Sequence, residues 1–256
     1  CSFTLFLRTD IKPQSNKTEI QKNIDSQKEK FEKIAKSIWT WAEVGYQEEK
    51  STALLKKTLS DEGFDIRSGV AEIPTAFVAE YGSGFPVIGI LAEFDALPGI
   101  SQSVATKRVP ILDNNAGHAC GHHLFGTAST AAAIAIKDYL KSSNQKGTIR
   151  LYGTPAEEGG SGKVYMVRAG LFDDVDFVLD WHASDRNAAN PGTSMANRSA
   201  KFKFYGYSAH AAGAPEKARS SLDAVEAMNH MVNLLREHIP DGSRIHYVIT
   251  KGGNTP

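Results

Sequence analysis

Apolar residues at Phe31, Ile34, Ile38 and Trp41 recur at helical spacing, which predicts an amphipathic helix with one face turned to a core. A second helix is expected from Ser51 through Leu59, stopping at Gly63. The period then changes. "TAFVAEY" (75–81), a "GSG" turn and "VIGILAEF" (87–94) read as strands, the latter so continuously apolar that both of its faces should be covered. An alanine-rich helix over 124–140, a strand at 148–153, a short helix around 164–169 and a strand at 176–182 complete the series. Strands alternating with helices predict an α/β fold, a mostly parallel sheet wrapped by helices. Sites in such sheets collect beyond the carboxyl ends of the strands. There the chain places Glu93 and Asp95, then Glu157 and Glu158, then His182.

After "NPGTSMAN" the pattern starts afresh. "SAKFKFYGY" alternates like a strand with one wet face, Leu222, Val225, Met228, Val232 and Leu235 mark an amphipathic helix, and "RIHYVIT" (244–250) reads as a further strand. The chain is therefore expected to hold a leader over 1–27, a first domain over 28–194 and a smaller α+β domain over 195–256. Residues 9–27 are polar without apolar recurrence and read as leader rather than core. The apolar run "CSFTLFLR" is interrupted at Arg8, far short of the roughly 20 residues of a membrane span. It fits a trimmed export signal, a lipidated Cys1 or a ragged start, so cytoplasmic and exported locations both stay open.

Composition narrows the chemistry. Lys+Arg and Asp+Glu balance at 29 each, so no long-range field draws nucleic acid or an anionic membrane surface, and small-molecule or peptide chemistry is favoured. The two cysteines, Cys1 and Cys120, cannot build a disulfide framework. Cys120 instead shares the stretch "NNAGHACGHHLFG" (114–126) with His118, His122 and His123, just ahead of the alanine-rich helix. A lone cysteine there is ordinarily a small core residue.

"GTPAEEGGSG" changes that reading. It sets Glu157 and Glu158 between Pro155 and the glycines 159, 160 and 162, a costly backbone for mere solubility. One carboxylate can ligate a metal while its neighbour acts as general base on water. Together Cys120, His122, Glu158 and His182 offer sulfur, nitrogen and oxygen donors. That set suits zinc, manganese or cobalt rather than calcium or magnesium. A thiolate shared between two ions would account for Cys120. Two other readings stay open: a Cys–His nucleophilic hydrolase built on Cys120, and a non-catalytic subunit that keeps the fold.

The ordered segments "AEFDALPG", "GHACGHHLFGT", "GTPAEEGGSGK", "LDWH" and "YSAHAAGAPEKARSSLDAV" resemble the metallopeptidases that include aminoacylases, carboxypeptidase G and plant auxin-conjugate amidohydrolases. The resemblance covers about residues 30–256. It implies a catalytic domain interrupted by a smaller lid or dimerisation domain, and hydrolysis of N-acyl or N-aminoacyl amino acids, aminobenzoyl-glutamate-like compounds or dipeptides. It also implies two divalent metal ions on Cys120, His122, Glu158 and His182, with Glu157 as general base and Asp95 orienting the site. His210, in "SAHAAGAP", would reach substrate in a partner subunit, either a second copy or a related chain. Many relatives carry Asp where this chain has Glu93, and Asp or Asn where it has His123, which leaves both roles unassigned. Relatives also return from the small domain to complete the sheet and add a further histidine ligand. This chain ends at "KGGNTP" before such a return, so the 256 residues alone are expected to bind metal below full stoichiometry and hydrolyse little.

Overall fold

Residues 13–26, expected as part of a polar leader, form helix α1 (Pro13–Ser26) in the computed structural model, which describes residues 13–111, 115–189 and 192–254. Side-chain hydrogen bonds rather than an apolar stripe tie it down: Asn16 Nδ2 donates to Tyr139 Oη and Asn23 Nδ2 to Asp138 Oδ2, both at 3.2 Å. That is why apolar spacing gave no sign of it. The apolar run 1–8 lies outside the described residues.

The expected helices follow as α2 (Lys28–Trp41) and α3 (Glu49–Asp61). Glu43 caps α3, its carboxylate accepting the backbone N–H groups of Lys50 and Ser51 at 2.9 and 2.8 Å. Next come β1 (Asp65–Ser68), β2 (Phe77–Ser83), β3 (Val87–Ala92), the small pair β4 (Leu97–Pro98) and β5 (Ala116–Gly117), and the long helix α4 (His122–Ser143). Strand β6 (Gly147–Gly153), the one-turn helix α5 (Glu157–Gly160), α6 (Gly162–Arg168) and β7 (Phe177–Leu179) end the series in this part of the chain.

Five strands form one sheet in the order β1-β2-β6-β3-β7. The α/β class holds, but the sheet is mixed rather than mostly parallel: β6 and β7 lie parallel to β3, whereas β1–β2 and β2–β6 are antiparallel. Connection length explains the split. The tight turn between β2 and β3 reverses the chain, whereas the crossover through α4 brings β6 back in the direction of β3.

The sheet buries both faces near its centre. On one, Phe77, Ala79, Ile90 and Leu151 pack with Ile38, Leu55, Leu59 and Ile134 of the helices; on the other, Val78 and Tyr152 pack with Ile73 and Met166. Alternate residues of β2 and β6 thus serve opposite layers. The alanines of α4 let it lie close to the sheet: a Cβ on Gly126 would stand 2.7 Å from the Glu93 carbonyl oxygen. The carboxyl ends of the parallel strands β3, β6 and β7 open onto the residues that carry the chemistry.

The chain divides into two compact units, Cys1–Ala188 and Ala189–Pro256. In the second, α7 (Ser221–Leu235) forms as expected, with Ser220 Oγ accepting the Asp223 N–H at 3.1 Å. The stretches at 199–207 and 244–250, expected as strands, contain none; a single bridge joins Tyr207 and Arg219. Alternation supplies one apolar face, but a strand also needs a neighbour to take up its backbone groups. Among the described residues, no helix is long and apolar enough to cross a membrane.

Candidate metal centre

His122 is the first residue of α4 and is buried. Gly121 ahead of it adopts a left-handed conformation, φ 84°, which turns the chain into the helix and is open to glycine. The ring is held from one side. Its Nδ1 donates to Asp95 Oδ1 at 3.0 Å, leaving Nε2 to face Glu93 Oε2 at 3.0 Å and Glu157 Oε2 and Glu158 Oε1 at 3.9 Å. These Nε2 contacts are close approaches without hydrogen-bond geometry: His122 Nε2, Glu93 Oε2 and Glu158 Oε1 are all buried and make no hydrogen bond. Buried polar atoms are normally paired.

Two donor groups meet at His122. Cys120, His122 and His182 bring ligand atoms within 4.8 Å of one another, and so do Glu93, His122 and Glu157. Cys120 Sγ lies 3.2 Å from His182 Nε2, and His182 Nδ1 donates to the Ala183 carbonyl at 2.9 Å. The sequence brought Cys120, His122, Glu158 and His182 forward as one set. The geometry joins three of them, sets Glu158 Oε1 against the same nitrogen, and adds Glu93, whose role the sequence left unassigned. A position directly after the apolar run 87–92 was the signal for it. Thiol, imidazole and carboxylate donors converging on unpaired buried atoms fit transition-type divalent ions.

Electrostatics agree with that chemistry. Burial depresses the His122 imidazolium, but the Asp95 hydrogen bond and the Glu93 carboxylate outweigh it and lift its pKa to about 10. Burial, with Glu158, Glu157 and Glu93 nearby, pushes the Cys120 thiol up to about 12. Burial also raises Glu158. Glu93 would be raised by burial too, yet His122 and an ion pair with Lys163 bring it below its ordinary value.

The other two histidines of the stretch turn away. His118 is buried with Nε2 3.1 Å from the Ile38 carbonyl oxygen, and its ring and that of His123 lie 5.2 Å apart beside Trp39. Burial takes the pKa of each to about 4, helped by their charged histidine neighbours. They are core imidazoles.

Asp95 reaches in two directions: its Oδ2 accepts the Glu158 backbone N–H at 2.9 Å. In the second unit, His210 Nδ1 accepts the backbone N–H groups of Ala212 and Gly213 at 3.2 and 2.9 Å. Its ring proton therefore sits on Nε2.

A family model for peptidase family M20/M25/M40 matches residues 89–253. The chain is 44% identical over 231 residues to one of the two subunits of the p-aminobenzoyl-glutamate hydrolase of Escherichia coli (strain K12), covering 90% of this chain and 48% of that protein. It is 30% identical over 252 residues to Xaa-Arg dipeptidase of Mus musculus, covering 94% of this chain and 54% of that one. A crystal structure of a Bacillus subtilis dinuclear metal binding peptidase from the M20 family superposes with a TM-score of 0.52 at 25% identity, over 60% of this chain and 42% of that chain. The chain spans about half the length of these curated relatives.

Proposed function

Because the chain belongs to peptidase family M20/M25/M40, we propose that it is the metal-binding part of an amidohydrolase that cleaves N-acyl or N-aminoacyl amino acids, aminobenzoyl-glutamate-like compounds or dipeptides. One observation carries this reading. Three buried polar atoms, His122 Nε2, Glu93 Oε2 and Glu158 Oε1, face one another without hydrogen bonds beside the Cys120–His182 pair.

Cys120, His122, Glu158 and His182 are the proposed ligands of two ions, zinc, manganese or cobalt, with the Cys120 thiolate shared between them. Such ions polarise the scissile carbonyl and acidify the attacking water. Asp95 fixes the His122 tautomer through Nδ1, so that Nε2 points into the site. Glu157 takes the proton from water at its carboxylate and returns it to the leaving amine. Exposure supports dividing the glutamates this way: the Glu158 side chain is 17% accessible and the Glu157 side chain 44%, so the buried one suits a fixed ligand and the open one a group that moves a proton. His210, protonated at Nε2, donates to the developing oxyanion. The E. coli relative is named as one subunit of a hydrolase, which supports pairing with a second copy or a related chain.

The Cys–His nucleophile fares worse. A nucleophilic cysteine needs a depressed pKa, and this thiol is pushed to about 12. Metal analysis together with a panel of N-acyl amino acids and dipeptides tests the reading. Turnover that disappears with a chelator and returns with manganese or zinc is expected; turnover that survives chelation but not thiol alkylation overturns it.

A further inference from the structure

The segment 43–48, between α2 and α3, takes no part in the chemistry above, yet it grips the turn that carries both glutamates. Glu48 is fully buried, and its Oε1 accepts the Ala156 backbone N–H at 2.8 Å. Tyr46 Oη donates to the Gly160 carbonyl at 2.6 Å. Between these two bonds lies only α5, the single turn Glu157–Gly160. The close fit extends to the backbone: a Cβ on Gly45 would stand 2.9 Å from Ala156 Cα, and a Cβ on Gly160 would run into the Tyr46 ring. The segment is itself anchored beside the site, with the Ala96 N–H donating to the Glu43 carbonyl at 2.8 Å and Val44 bridged to Ala96.

The turn needs such a grip. Ala156 and Ser161, on either side of it, both hold left-handed backbone, φ 57° and 55°, a conformation that non-glycine residues keep only where their surroundings enforce it. A fully buried carboxylate is likewise costly unless it does something in return. We infer that Glu48 and Tyr46 are positioning residues that clamp the two ends of the Glu157–Glu158 turn and so set where general base and ligand stand. The inference rests on the roles proposed for those two glutamates, but its first readout does not.

Amide hydrogen exchange of this chain without metal is measured over 154–161, with β6 as internal reference. Glu48→Ala and Tyr46→Phe should each speed exchange in that segment by about tenfold or more, the size expected for a lost hydrogen bond to a charged or well-aligned partner. Glu48→Gln keeps an acceptor oxygen at the same reach and should remain close to the parent. In metal-loaded protein, kcat should fall in the first two variants with KM little changed, and recover in Glu48→Gln. Unchanged exchange in Tyr46→Phe and Glu48→Ala overturns the clamp, as does a Glu48→Gln variant as loose as Glu48→Ala. Should Glu48→Ala not fold, Tyr46→Phe, altered at an exposed residue, decides alone. Full activity in Glu157→Gln would instead remove the general-base reading and leave the exchange result standing.

Discussion

Asp95 and His122 are joined at 3.0 Å through Oδ1 and Nδ1, and the other oxygen of the same carboxylate holds the Glu158 N–H at 2.9 Å. One side chain at the end of β3 thus fixes both the first residue of α4 and the turn after β6. An acceptor is required at each oxygen, because both partners are donors.

Asp95→Asn keeps the shape but turns one oxygen into an NH2 group, so either His122 or the Glu158 amide faces a donor. Loss of such a supporting group typically costs about 10–100-fold in metal affinity. Competition against a chromophoric chelator should show a fall of that order with the fold intact by circular dichroism. Unchanged affinity would show that this carboxylate does not orient the site.

Glu157→Gln and Glu158→Gln should part company. The first is expected to retain metal while losing turnover by roughly 100- to 10,000-fold, the range for a general acid–base group. The second should lose metal as well, since an amide leaves the buried His122 Nε2 without its anionic neighbour. Equal metal content and full activity in both would refute the division of roles.

The helices and strands of the first unit were legible because their apolar residues recur at the periods of helix and strand, and because "VIGILA" is covered on both faces. The direction of β2 was not, since it follows from a tight turn rather than from its own residues. Candidate ligands could be read because cysteine, histidine and paired glutamates between glycines are unusual side by side. Glu48 and Tyr46 could not: in "EVGYQEE" they look like a polar turn, and only the fold brings them 108 and 114 positions along the chain to Ala156 and Gly160.

Gly126→Ala should destabilise the protein although alanine favours helix over glycine by about 1 kcal/mol. The added methyl would stand 2.7 Å from the Glu93 carbonyl oxygen and 3.3 Å from Phe94 Cβ. Backbone there cannot give way cheaply, and overpacking of this kind costs about 1–3 kcal/mol. A lower Tm is expected, by a few degrees for a chain of this size, together with weaker metal binding as Glu93 is displaced. A Tm at or above that of the parent would mean α4 can move off the sheet.

Metal binding should release protons, and the count identifies the ligands. Without metal the Cys120 thiol titrates at about 12 and the His122 imidazolium at about 10, so at pH 7 both carry the proton that a cation must displace from Sγ and Nε2. Each remains protonated below its own pKa. Raising the pH toward those values therefore removes competing protons, and apparent affinity should climb by up to about two decades per pH unit between pH 6 and 9 if both groups ligate. Indicator titration in weak buffer should show about two protons released on loading at pH 7. In Cys120→Ser, whose hydroxyl does not give up its proton as a thiol does, the release should drop to about one. Release near zero, with affinity flat over that range, would mean that carboxylates alone hold the ion and would remove Cys120 and His122 from the ligand set.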